Sequence, residues 1–219
     1  MLCYDPDAAV TTDSTTLFAS DRDVALFLCD DQMPIEVGQL ASGDPDLMFR
    51  GFFVKNSEVG DGALYVATMY LRGVCANRCL WGVEGFKEIR IRHTNRAPDR
   101  FVDEVCPVLD SYTSGDPARV VAGVNSAKSQ RVITASWDDR EQTREEQLTF
   151  LTRVLKFPLQ TAEAILAHDA PGTNRDELVT VWDFTNQLTS YAQTAKHHDR
   201  RLAIEAKASA LLERATAAA

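Results

Sequence analysis

The 219 residues contain no Gly-x-x-x-x-Gly-Lys loop, no Gly-x-Ser-x-Gly elbow and no His-Glu-x-x-His pair. The phosphate cradle, the exposed serine nucleophile and the helical zinc pair built by those motifs are therefore not expected. Histidine is scarce at four residues, which leaves few general bases to activate a nucleophile. No apolar run approaches the ~20 residues that span a bilayer. The opening MLCYDPDAAV lacks the basic-then-apolar layout of a signal peptide. A cytoplasmic protein without a membrane partner is the expectation. Cysteine is present but unpaired in pattern, at 3, 29, 75, 79 and 106. An odd count at uneven spacing favours reduced thiols over a disulfide framework. Cys75, Cys79 and the later His93 make only one loose pair, where zinc needs four ligands and usually two tight pairs. Two buried thiols is the plainer reading, and no metal or other cofactor is expected.

What is present starts with charge. The net charge is −9, with 45% hydrophobic and 25% charged residues, a composition that excludes a wholly disordered chain and suits one globular domain over 1–219. A net −9 argues at first against nucleic acid. Residues 1–49, however, hold ten acids and one base, whereas 50–100 hold nine bases and five acids. The remainder is mildly acidic, with seventeen acids and thirteen bases. An acidic flank thus precedes a basic centre.

The strand-rich part is predicted over 14–95. Thr15–Ser20 and Val24–Cys29 are short apolar runs around Asp21-Arg22-Asp23, the spacing of a hairpin. Pro34 and Ala41-Ser42-Gly43-Asp44-Pro45 read as loop. Leu47–Lys55 is an aromatic-rich strand. Asn56–Gly62 turns the chain, and Ala63–Val74 returns with Leu64, Val66, Thr68 and Tyr70 on one face. Phe86–His93 alternates with period two, Glu88, Arg90 and Arg92 opposing Ile89, Ile91 and His93.

The helical part is predicted over 97–217. An amphipathic stretch runs from Ala97 to about Ser111. Asp116-Pro117 is a helix start, with Asp at the cap and Pro at the first helical position. Further helices are predicted over Glu141–Leu155, Thr161–His168, from a cap at Thr173 or Asn174 to about Ala195, and over Arg200–Ala217. The fold class is α+β: an antiparallel sheet from the N-terminal half covered by helices from the C-terminal half.

The basic centre is the best physical lead. Arginines on a sheet face neutralise phosphates, and neighbouring aromatics stack on bases. The candidate backbone contacts are Lys55, Arg72, Arg78, Arg90, Arg92 and Arg96, with Tyr70 and Trp81 as stacking groups. The bland alternative is a solvated sheet face whose aromatics serve the core. Lys196, Arg200 and Arg201 read as a solvated helix surface.

A set of separated motifs carries a resemblance. Asn56-Ser57-Glu58-Val59-Gly60 is followed by Arg72-Gly73-Val74-Cys75-Ala76-Asn77 and by Arg90-Ile91-Arg92-His93. Trp182, Asn186-Gln187-Leu188-Thr189 and Arg201-Leu202-Ala203-Ile204-Glu205 come later. The chain in these respects resembles the phage/plasmid-like family described as domain of unknown function 932. That family has a glycine after the Cys-x-Asn asparagine, where Arg78 stands here. The resemblance implies a setting in phages, prophages and plasmids but no activity. In outline the arrangement is similar to phage single-strand annealing recombinases, an analogy at the level of fold.

Three functional expectations follow. The first is a non-enzymatic DNA-binding protein of a phage, prophage or plasmid, single-strand annealing or recombination-like, holding single-stranded DNA and acting as a homo-oligomer. Asn56, Ser57, Glu58, Asn77 and His93 then form a polar corner that sets the loops. The second is a protein-interaction or anti-defence factor, docking on a host protein through the acidic start, Asp5 to Asp46. The third is an enzyme in which Glu58, His93 and Asn77 converge on one pocket.

Overall fold

A computed structural model describes residues 17–19, 22–30, 32–40, 42–57, 59–60, 62–73, 77–79, 88–135, 140–171, 173 and 178–217. Seven strands among them form one antiparallel sheet: β1 (Leu17–Ala19), β2 (Asp23–Cys29), β3 (Ile35–Gln39), β4 (Pro45–Ser57), β5 (Leu64–Arg72), β6 (Asn77–Cys79) and β7 (Glu88–Ile91). The order is β1-β2-β4-β5-β6, with β3 also on β4 and β7 also on β5. Seven α-helices follow: α1 (Ala97–Arg100), α2 (Cys106–Thr113), α3 (Pro117–Ser129), α4 (Arg140–Thr149), α5 (Leu159–Ala167), α6 (Val181–Ala192) and α7 (His198–Ala217). π-helical turns at Phe101–Val105 and Phe150–Val154 continue α1 into α2 and extend α4. The protein is α+β, its sheet drawn from the first half and its helices from the second.

β4 is the central strand. One edge pairs with β2 from Asp23↔Ser57 to Cys29↔Gly51, then with β3 at Ile35↔Met48. The other edge pairs with β5 from Met48↔Arg72 to Lys55↔Tyr65. Gly51 permits this crowding: a Cβ there would lie 2.3 Å from the Leu28 carbonyl oxygen. Side chains alternate between two faces. Met48, Val66, Tyr70 and Ile91 face one way, toward Val105 and Tyr112 and the large helical core. Ala25, Phe27, Phe53 and Met69 face the other, where Leu202 of α7 packs against them. Phe27 and Phe53 stack there at 4.5 Å between centroids.

The helix starts follow local chemistry. Asp116 caps α3, its Oδ1 accepting from the Ala118 N–H at 2.9 Å, as Asp116-Pro117 predicts. For α6 the start differs from the expectation of Thr173 or Asn174. Thr180 is the cap, accepting from the Asp183 N–H, and the Asp183 carboxylate accepts from the Thr180 N–H in return. This capping box satisfies two orphan donors and outcompetes an earlier start. Asn174 itself lies outside the described residues. β3 and β6 were not expected as strands. β3 has only five residues, bends at Gly38 (φ 144°) and holds its place through Lys128, whose Nζ donates to the Val37 carbonyl at 2.7 Å.

Among the described residues no helix is long and apolar enough to cross a membrane. The central crowding is testable. Gly51→Ala must push Leu28 or Met69 aside and is expected to cost about 1–3 kcal/mol in a urea titration, with Gly62→Ala, where the nearest atom is 3.5 Å away, as the mild control.

Candidate nucleic-acid interface

Antiparallel register puts two candidate side chains, Lys55 and Arg90, in a row with Tyr65. Lys55 on β4 lies opposite Tyr65 on β5, and Tyr65 opposite Arg90 on β7. Directly opposed residues share a face with Cβ atoms about 5 Å apart. The row borders an open groove of about 360 Å³, lined also by Phe53, by Gly62 and Ala63 before β5, and by Leu202 and Ala206 of α7. The Arg90 guanidinium lies over the Tyr65 ring, 5.5 Å from its centroid, and two-thirds of its side chain is exposed (67%). Glu88 ties the pair together. It meets Arg90 at 3.1 Å and accepts from the Tyr65 hydroxyl at 3.0 Å. Burial, reinforced by that hydrogen bond, pushes the Tyr65 phenol up to about 12 from its ordinary 10.0, while Arg90 pulls weakly the other way. The phenol is therefore a neutral hydrogen-bond donor throughout the physiological range.

The other predicted contacts divide. Arg92 and Arg96 are exposed, just after β7 and just before α1. Arg72 is not a surface contact. It is 3% exposed, and its Nε and Nη2 donate to Asp46 Oδ1 and Oδ2, both at 2.8 Å. Tyr70 is not a stacking group either: it is fully buried and meets the edge of Tyr112 at 5.8 Å. Both belong to the sheet face that the helices cover, so neither reaches a ligand in solvent. Trp81 and the side chain of Arg78 lie outside the described residues, although Arg78 pairs with Leu71 through its backbone in β6. Arg50 is buried, donating from Nη2 to the Gly115 carbonyl at 2.6 Å. Arg100 is taken by Glu104. Arg201, expected on a solvated helix surface, is instead buried beside Glu205 at 3.0 Å, while Lys196 and Arg200 are exposed.

The expected polar corner does not assemble. Asn56 and Ser57 end β4, and His93 follows β7, at the Leu64 end of β5. Asn77 pairs with Arg72 at the opposite end of that strand, eight residue steps or about 26 Å away. That separation also removes the three-residue enzymatic site, since Asn77 and His93 cannot line one pocket; Glu58 lies outside the described residues. The acidic docking surface loses Asp46, which is 2% exposed and committed to Arg72. Among the described residues no His, Cys, Asp and Glu cluster suits a metal ion; Cys75 is not among them.

Three groove residues escaped the sequence reading. Tyr65 was visible only as one aromatic among many, and the period-two alternation of β5 was its available signal. Leu202 and Ala206 reach the groove from 137 and more residues downstream of Tyr65, and no local pattern reports that.

These features define an α+β protein with a small cationic, aromatic groove between sheet and last helix. The chain belongs to the family "Domain of unknown function (DUF932)", whose model matches residues 32–216. No curated protein and no solved structure gives a significant match.

Two measurements check this geometry. Asp46→Ala leaves Arg72 charged and buried, and is expected to cost about 3–5 kcal/mol in urea. In an alkaline absorbance titration, the difference between wild type and Tyr65→Phe should show one ionisation centred near pH 12 rather than near 10. Because the folded value is raised, the associated stability is intact below pH 10 and is lost as pH climbs through the folded value.

Proposed function

We propose that the chain is a non-enzymatic protein that binds single-stranded nucleic acid along the Lys55–Tyr65–Arg90 row, and that in the mobile-element setting implied by its family the ligand is DNA undergoing recombination. The observation that carries this reading is the row itself: two cations flanking an aromatic ring, in register on three adjacent strands, beside an open groove. Lys55 and Arg90 supply phosphate contacts. The exposed guanidinium plane of Arg90, backed by Tyr65, supplies a flat platform for an unstacked base. Duplex DNA keeps its base faces inside the stack and has nothing to lay on that platform, which favours the single strand. Arg92 and Arg96 extend the cationic path beyond the end of β7. Glu88 moderates it, holding Arg90 in place and weakening its net attraction. A homo-oligomer would repeat the row along one strand, as annealing requires.

A fluorescence titration with labelled oligo(dT) over a salt series tests the reading. Binding should appear at low salt and weaken linearly on logarithmic axes, with a slope near −3 if four cations each release about 0.7 of a counterion. Lys55→Glu with Arg90→Glu should reduce affinity more than tenfold, and Tyr65→Ala by about tenfold. Binding that ignores salt, or survives the double reversal with an unaltered circular dichroism spectrum, overturns it.

A further inference from the structure

A second cavity lies away from the groove, where β2 leaves β4 and β3 takes its place. β2 ends at Cys29↔Gly51, and β3 does not rejoin the same edge until Met48. Between them the Asp30 N–H reaches across, donating to the Arg50 carbonyl at 2.8 Å. A cavity of about 240 Å³ lies here, lined by residues of β2, β4 and the end of α2 together with Asp30 and Met33. Phe52 and Tyr112 supply ring walls, Met33 lines the cavity with 60% of its surface exposed, and the exposed Thr113 lines it from the end of α2.

The walls are held in place. The Tyr112 hydroxyl donates to the Met69 carbonyl at 2.6 Å, which fixes the ring. Arg50 is anchored by its bond to the Gly115 carbonyl in the turn between α2 and α3. Asp30 Oδ1 accepts from the Gln32 N–H at 2.9 Å, which orients that carboxylate at the rim. A preformed apolar cavity with a few convergent polar groups is the usual form of a small-molecule site.

We infer that this cavity binds a compact aromatic molecule bearing a neutral carboxamide-like group. Size sets the first limit. A dry cavity of ~150 Å³ accepts benzene, so this one takes a single ring with a small substituent. Charge sets the second. Among the described residues the lining carries one cation, Arg50, and one anion, Asp30. A carboxylate or an ammonium satisfies one of these charges and is opposed by the other, whereas a carboxamide presents its carbonyl to Arg50 and its N–H to Asp30 together. A carboxamide offers an acceptor and a donor and brings no net charge into an apolar pocket, where an unbalanced charge is costly.

The test uses the full chain with three probes of one shape: benzamide, benzoate and benzylamine, followed by saturation-transfer NMR. Benzamide should bind at least about tenfold tighter than either charged analogue. Met33→Trp, which adds a bulky ring to the lining from an exposed position, should abolish its binding while leaving the melting temperature and oligo(dT) affinity unchanged. Thr113→Phe adds a ring to the lining from the exposed end of α2 and serves as the second variant. Absence of benzamide binding at millimolar concentration, tighter or equal binding of a charged analogue, or undiminished binding to both plugged variants overturns the inference. Because the oligo(dT) arm is read separately, failure here is distinct from failure of the groove.

Discussion

The ion pair between Asp46 and Arg72 joins the two longest strands of the sheet to the helical layer. Asp46 opens β4 and Arg72 closes β5, so their paired 2.8 Å bonds fasten the two longest strands at one end. Both side chains are almost fully buried. Such a pair is costly to desolvate and gains stability only when geometry and surroundings compensate. Here the compensation comes from the helices. The Arg72 guanidinium lies 5.4 Å from the Trp182 ring centroid and Lys128 Nζ 5.7 Å from it. Trp182 belongs to the first turn of α6, and Lys128 to the last turn of α3. One aromatic ring therefore serves two cations, and sheet, α3 and α6 meet around one carboxylate. Burial holds the Lys128 amine below its ordinary value, opposed chiefly by the attraction of Asp46.

That junction fixes the rest of the helical layer. α6 is enclosed by its neighbours, and its polar side chains bond inward: Thr185 and Asn186 to carbonyls one turn back, Gln187 to the Ile165 and His168 carbonyls. α7 packs against α6 through Ile204, Ala208, Leu211 and Leu212, and its Leu202 reaches the second face of the sheet. The groove wall thus depends on a chain of contacts that begins at the buried pair. Lys55, Tyr65 and Arg90 owe their alignment to strand register, but the enclosure beside them is made by α7.

Much of the architecture was legible because it is local. The alternation of residues 86–93 marks β7 and puts Arg90 on the open face with Glu88, opposite buried Ile91. Asp116-Pro117 marks the start of α3. Charge was the misleading signal. Arg72 and Arg201 count as cations in any segment sum, yet each is buried against a carboxylate, and for Arg72 that partner lies 26 residues away. Tyr70 and Tyr65 sit on the same strand five residues apart, so period-two alternation sends them to opposite faces, one into the core and one to the groove. Trp182, Arg72, Arg201 and Glu205 are widely spaced in sequence and are all buried, which makes these motif positions part of the scaffold.

The proposed binding row consists of Tyr65 and its two flanking cations. Photocrosslinking of a single-stranded oligonucleotide carrying 5-bromodeoxyuridine, with mass-spectrometric mapping of the adduct, examines that placement directly. Adducts at Tyr65 and its β5 neighbours are the predicted result. Adducts confined to the α3–α6 layer, or none under conditions where the oligonucleotide is bound, would contradict it.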